Sequence, residues 1–144
     1  MNHPAARSVG EFFRSLEKET AEGDFAKMAE RFAEHFVAAS PSGAKVAPRS
    51  VFQAMMPERK HMFDKLGAKP ARLSSLETTE LDARYTLAKA RWQLDFASEG
   101  SEPQTVFADS TYVIDIGAEP FRIILYMTSQ DLPKVLAERG VLPR

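Results

Sequence analysis

The sequence has no cysteine among its 144 residues and only three histidines. The absence of thiols excludes disulfide bonds, thiol catalysis and zinc–thiolate sites. His3, His35 and His61 are scattered and have no carboxylate at ligand spacing, so we expect no metal site. Glycine-rich phosphate loops, nucleophile elbows and paired catalytic carboxylates are also absent. We therefore expect a protein that works without a metal or nucleotide cofactor.

Neither sign of charge dominates, and no hydrophobic run is long. The chain has 19 basic and 20 acidic residues, a formal net charge of -1, and no basic run that would favour nucleic acid as a partner. The longest apolar runs, such as IIL, are far shorter than the roughly 18 residues of a membrane span, and the N-terminal sequence lacks the apolar core of a signal peptide. We expect a cytoplasmic protein that binds neither nucleic acid nor membrane, with residues 1–144 forming one domain.

The first part of the chain has the periodicity of helices. Two apolar stripes, separated by Gly23-Asp24, predict two helices; they are Val9, Phe12, Phe13 and Leu16, then Phe25, Met28, Ala29 and Phe32. The segment HFVAASPSGAKV predicts a short strand with a turn. A third helix is predicted in SVFQAMMPERKHMFDKLG, where Pro57 should kink or restart it and Gly67 should end it.

After Ala71 the hydrophobic period changes to two, which is typical of strands. The four predicted strands are ARLSSLETT, YTLAKARWQLDFAS, QTVFADSTYVIDI and PFRIILYMT. The turns between them favour an antiparallel meander. Centring the hairpins on their turns predicts that Trp92 lies opposite Ser110, and that Ser110 lies opposite Met127. Leu132, Val135 and Leu136 predict a final helix, which Gly140 closes.

The alternation gives the sheet one apolar face, which the helices should cover. In the last three predicted strands, the members of this face are Ala88, Ala90, Trp92, Leu94, Phe96, Val106, Ala108, Ser110, Tyr112, Ile114, Phe121, Ile123, Leu125 and Met127. The reverse face mixes charged side chains with apolar ones, and the latter are Leu87, Phe107, Val113, Ile124 and Tyr126. A fully solvated face should not carry so many apolar groups, so we expect a homodimer through this outer face.

The order of elements resembles the nuclear transport factor two-like superfamily, the cone-shaped α+β barrel shared with SnoaL-like polyketide cyclases and ketosteroid isomerase. The segments that carry the resemblance are FFRSLEKETAEGDFAKMAERFAEHFV, ARYTLAKARWQLDF, STYVID and FRIILYMTSQDL. The resemblance implies an α+β fold in which N-terminal helices pack on a strongly curved antiparallel sheet, a cystatin-like half barrel, with a C-terminal helix. It also implies an apolar pocket between the concave face and the helices.

The leading functional hypothesis is a small-molecule binding protein whose pocket takes an apolar or aromatic ligand. The residues expected to line it are Phe32, His35, Phe52, Trp92, Ser110, Tyr112, Leu125 and Met127. The alternative is a cofactor-independent isomerase or lyase of the ketosteroid isomerase or polyketide cyclase type, with His35 as the base and Tyr112 as a hydrogen-bond donor. An aspartate could replace His35 only if a bulge turned it inward, because Asp95, Asp109 and Asp115 fall out of phase with the inner face. A third hypothesis is an accessory module whose interior is filled by side chains.

Overall fold

The fold consists of four helices and six strands in the computed structural model, which describes residues 4–97, 100, 102–129 and 132–140. The helices are α1 (Pro4–Glu22), α2 (Phe25–Glu30), α3 (Arg49–Lys65) and α4 (Leu132–Glu138). The strands are β1 (Phe32–Ser40), β2 (Gly43–Pro48), β3 (Arg72–Glu80), β4 (Tyr85–Phe96), β5 (Gln104–Asp115) and β6 (Arg122–Thr128). Of the helices so described, none is both long enough and apolar enough to cross a bilayer.

The six strands form one curved, mixed sheet that does not close into a barrel, with the order β2-β1-β6-β5-β4-β3. This confirms the predicted α+β architecture of helices packed on a curved sheet. The prediction of a wholly antiparallel sheet is wrong at one pair, because β1 runs parallel to β6. The two strands are separated in sequence by a helix and four strands, so no hairpin turn fixes their relative direction.

One helix prediction also needs correction. The second apolar stripe was expected to include Phe32 in a helix, whereas α2 ends at Glu30 and Phe32 begins β1, paired with Ile123. Pairing with β6 thus overrides the helical spacing. Pro57 lies inside α3 without ending it. Because α3 has no fully buried residue, a carbonyl that loses its partner to the proline can be hydrated.

The strand registers preserve the predicted inner face of β4 and β5 but not that of β6. Trp92 lies opposite Ala108 and Ser110 lies opposite Ala90, a shift of two residues from the predicted register that leaves every side chain on its expected face. Between β5 and β6 the register shifts by one residue after the Ile114–Ile123 pair. This bulge reverses the faces of the rest of β6, so that Tyr126 points inward, beside Tyr112.

Two clusters of buried side chains occupy the concave side of the sheet. The first core cluster joins α1 and α2 to the sheet through Val9, Phe12, Phe13, Leu16, Met28, Phe32, Phe36, Ala88, Ala90, Tyr112, Ile114 and Ile123. Large rings from the helices fit over the small side chains of β4, which is how close packing is reached in such a cone. The second core cluster, Phe96, Val106 and Leu136, closes the far end with Phe63, Leu66, Ala68, Leu94 and Val135 around it.

An ion pair fastens α1 to the segment that leads into β1. Glu19 is buried and accepts two hydrogen bonds from the Arg31 guanidinium, with Nε to Oε1 at 3.0 Å and Nη2 to Oε2 at 2.6 Å. The Arg31 guanidinium also lies over the ring of Phe12, 5.4 Å from its centroid. Such a bidentate pair fixes both distance and orientation. It therefore ties the C-terminal half of α1 to the start of β1.

We predict that Glu19→Gln lowers the free energy of unfolding by about 2 kcal/mol, because it leaves the Arg31 guanidinium without its counter-charge in a half-buried place. Urea denaturation measures the change. The matched control is Glu22→Gln, which removes the same charge from an exposed position at the end of α1 and should change stability by less than about 0.5 kcal/mol. Equal effects of the two substitutions would contradict a special role for the pair.

Candidate ligand-binding site

A cluster of three polar side chains lies on the inner face of β4 and β5. The Trp92 indole Nε1 donates to Ser110 Oγ at 3.1 Å and to the Tyr112 hydroxyl at 3.2 Å, and Ser110 Oγ donates to the same hydroxyl at 3.2 Å. We call Trp92, Ser110 and Tyr112 the polar cluster. Each of the three side chains has a hydrogen-bond partner within the cluster, which is what buried polar groups in an apolar surround require.

Tyr112 connects the polar cluster to the first core cluster. Its ring packs against Phe13, with centroids 4.9 Å apart, and against Tyr126, with centroids 5.2 Å apart. Burial raises the pKa of the Tyr112 hydroxyl, so the phenol stays neutral at physiological pH. A neutral phenol whose oxygen already accepts two hydrogen bonds still has its own proton to donate. This proton has no acceptor among the residues that the structure describes.

The inner face is least covered between the two core clusters. Trp92, Leu94 and Ala108 are half-buried there, whereas the inner-face residues to either side, such as Ala90 and Phe96, are buried. We call Trp92, Leu94 and Ala108 the inner band. Ala108 belongs to neither core cluster and is the smallest of the three, whereas Trp92 packs against the first cluster and Leu94 against the second. The polar cluster therefore lies beside a half-buried part of the inner face.

The predicted site residues fall into separate places. Trp92, Ser110 and Tyr112 come together as expected for the polar content of the inner face. Phe32 and Phe52 lie in an aromatic group with Phe36, with centroid distances of 4.7 to 5.3 Å, and so contribute to the core beyond Tyr126.

Three further predictions about the inner face are wrong. Leu125 and Met127 pair with Val113 and Thr111 on the outer face, because the bulge in β6 reverses their direction. Tyr126, predicted on the outer face, lies inside instead. The run IILYM has no alternation of apolar and polar residues, so the sequence gives no sign of this reversal.

His35 does not lie at the inner face. It is an exposed residue within β1, opposite Pro48, and its neighbour Phe36 is the one that points into the core. Because successive side chains of a strand alternate between faces, His35 is directed away from the interior. An imidazole there is not placed to accept a proton from a ligand beside the polar cluster.

The aspartates of β4 and β5 face outward, as their phase predicts. Each accepts a hydrogen bond that lowers its carboxyl pKa: from Thr105 for Asp95, from Arg91 for Asp109 and from Arg84 for Asp115. All three are therefore ionised and paired at neutral pH. Within the described part of the chain, no group of three or more histidine, aspartate or glutamate side chains is arranged to hold a metal ion.

Two depressions lie outside the interior, on either side of Arg31. One, of about 450 Å³, is bounded by α1 and the turn between β5 and β6. The other, of about 360 Å³, is bounded by Glu19, Lys27, Glu30, Arg31, Pro120 and Arg122. Neither contains a residue that the sequence predicted for the site. Since Arg31 is held by Glu19, its charge is already neutralised by the protein.

Comparison with known proteins supports the fold. A nuclear transport factor two-like protein with a cystatin-like fold, from Novosphingobium aromaticivorans, has a TM-score of 0.72 and 13% identity over 96% of this chain and 89% of that one. A nuclear transport factor two-like protein of unknown function from Shewanella oneidensis has a TM-score of 0.68 and 14% identity over 88% and 99%. A protein from Xanthomonas campestris, provisionally assigned as a polyketide cyclase, has a TM-score of 0.58 and 14% identity over 91% and 96%.

In sequence, no protein-family model and no curated protein matches the chain. The agreement with the solved structures is one of backbone over nearly their whole length, with identities at which fold is shared and function need not be. The chain therefore adopts the cystatin-like α+β fold seen in these nuclear transport factor two-like proteins.

Proposed function

We propose that this protein binds a small aromatic molecule in a pocket over the inner band, beside the polar cluster. The observation that carries the proposal is the half-buried Ala108, which faces the interior between two tightly packed core clusters. Pockets for small molecules are mostly apolar, with a few convergent polar groups that fix orientation. The inner band supplies the apolar floor, and Tyr112 supplies a hydrogen-bond donor.

The distribution of charge favours binding over proton transfer. A cyclase or isomerase of the alternative type needs a general base within reach of its substrate. Among the described residues of the inner face there is no carboxylate or imidazole, since the strand aspartates are paired outside and His35 is exposed. The tyrosines are poor bases, because burial raises the pKa of both Tyr112 and Tyr126. The interior is therefore suited to holding and orienting a ligand, whereas no described inner-face group is suited to accepting a proton from it.

We also propose a homodimer through the outer face. Phe107 and Met127 are 43% and 40% exposed there, beside the partly buried Leu87, Val113 and Ile124. The Arg91 guanidinium covers the Phe107 ring at 5.5 Å and pairs with Asp109. Because Arg91 and Asp109 neutralise each other within the chain, the patch carries no net charge that would repel a second copy across a two-fold axis.

We predict that Ala108→Phe abolishes binding of the neutral probe 2-naphthamide, because the added ring fills the space above the inner band. The wild type should bind it with a Kd below about 1 mM, measured by isothermal titration calorimetry. The matched control is Thr111→Phe, which adds the same ring to the outer face of the same strand and should leave binding unchanged. Undiminished binding by a folded Ala108→Phe variant would contradict the proposed location.

For the dimer, we predict that Phe107→Glu converts the protein to a monomer at micromolar concentration, because it places an unpaired carboxylate in the interface. Light scattering after size-exclusion chromatography gives the mass. Val46→Glu is the control, since Val46 is 64% exposed on β2, elsewhere on the sheet. A monomeric wild type would overturn the dimer, and a Phe107→Glu variant that keeps the dimer mass would exclude this face as the interface.

A further inference from the structure

The smaller of the two outer depressions brings together charged residues of α1, α2 and the start of β6. Its volume is about 360 Å³, and its lining residues are Glu19, Lys27, Glu30, Arg31, Pro120 and Arg122. Sites for small molecules occupy roughly 300–1,000 Å³, so the volume is sufficient for a small ligand. We call it the charged depression, because every lining residue except the proline is charged at neutral pH. The way these charges are paired decides what it can bind.

Two of the cations in the lining already have partners within the chain. Arg31 donates two hydrogen bonds to the carboxylate of Glu19, and Lys27 Nζ lies 3.9 Å from Asp24 Oδ2. Because each cation has an anion beside it, the two pairs add little net charge to the depression. One carboxylate and one guanidinium remain among the lining residues.

The remaining guanidinium is that of Arg122, which is half-buried. The residue opposite it in the sheet is Asp115, but both oxygens of that carboxylate accept hydrogen bonds from Arg84, at 3.0 and 2.9 Å. Among the residues described, the Arg122 guanidinium donates only from Nη1, to the carbonyls of Pro120 and Phe121 at 3.3 Å. Its Nε and Nη2 are therefore available to a carboxylate, which a guanidinium binds through two parallel hydrogen bonds.

The remaining carboxylate is that of Glu30, the last residue of α2. Its side chain is exposed and has no hydrogen bond or ion pair with any residue that the structure describes. Glu30 and Arg122 line the same depression without pairing with each other. The depression thus presents one unpaired negative group and one unpaired positive group, carried by two different elements of the fold.

Two unpaired charges of opposite sign complement a ligand that carries both charges. A free α-amino acid has a carboxylate and an ammonium group at neutral pH. A simple anion would leave Glu30 unpaired, and a simple cation would leave Arg122 unpaired, so each would gain only one of the two interactions. Pro120 adds an apolar ring to the lining, which a short aliphatic side chain can contact.

We propose that the charged depression binds a small aliphatic α-amino acid, with its carboxylate on Arg122 and its ammonium group on Glu30. This site is separate from the pocket over the inner band, so the inference does not rest on the proposed function, and either can fail without the other. The pair of Arg31 with Glu19 forms part of the wall and leaves the ligand charges to the two unpaired residues.

The test compares three probes with the same aliphatic chain. Norvaline carries both charges, pentanoate lacks the ammonium group, and butylammonium lacks the carboxylate. Titrations at low ionic strength, followed in nitrogen–proton correlation spectra, report binding through the amides of Glu30, Arg31 and Ile123. Norvaline should shift these amides in a saturable way, with a Kd on the order of 1 mM. Each probe with a single charge should bind at least about tenfold more weakly, because it loses one charge-assisted interaction.

Arg122→Gln and Glu30→Gln should each weaken norvaline binding about tenfold, because each removes one of the two charges that the ligand pairs with. The matched controls are Arg14→Gln and Glu34→Gln, which remove the same charges from exposed positions outside the depression and should leave the Kd within about twofold. All four variants should keep the wild-type spectrum away from the substituted residue, which distinguishes lost binding from lost folding.

Several results would overturn the inference. The site fails if norvaline gives no saturable shift, or if it shifts the Trp92 indole resonance instead of the amides around the depression. Binding of pentanoate or butylammonium as tight as that of norvaline would refute selection of a zwitterion. If Arg122→Gln and Glu30→Gln bind norvaline like the wild type, or if the controls lose as much affinity as they do, the assignment to these two residues is wrong.

Discussion

The interior depends on one constraint, that the hydroxyl of Tyr112 lies in an apolar cone and must be hydrogen-bonded there. An unsatisfied buried hydroxyl costs roughly 1–3 kcal/mol, and here Ser110 and Trp92 supply the partners across β4 and β5. The bonds hold the Trp92 indole beside Tyr112, opposite a residue as small as Ala108. The space that we propose as a ligand site is thus a consequence of how one hydroxyl is satisfied between two packed clusters.

Much of the fold could be predicted because its strands and helices have strong periodicity. The expected bounds of β4 and β5 are within two residues of the observed ones, and Phe12, Phe13 and Leu16 are buried as their spacing predicts. Alternation predicts which face of the sheet a side chain lies on, but it does not determine the register between two strands. The two-residue shift that places Trp92 opposite Ala108 therefore could not be seen in the sequence. The parallel pairing of β1 with β6 depends on contacts between distant segments, which leave no local signal.

The site was harder to predict than the fold, for reasons that individual residues show. Tyr126 lies in a run of apolar residues without alternation, so a bulge could reverse its face unnoticed. His35 was expected to line the pocket because it lies where the second predicted helix gives way to the first strand; the strand that begins at Phe32 turns it to solvent instead.

The central claim, that small aromatic molecules bind beside the polar cluster, can be tested through the single tryptophan of the sequence. In a nitrogen–proton correlation spectrum, the one indole N–H resonance belongs to Trp92. The account predicts that 2-naphthamide shifts this resonance in a saturable way, together with the backbone amides of Ala108 and Tyr126. A probe that leaves the indole resonance unmoved, and instead shifts amides around Arg31 and Pro120, would contradict the account and place binding in the outer depressions.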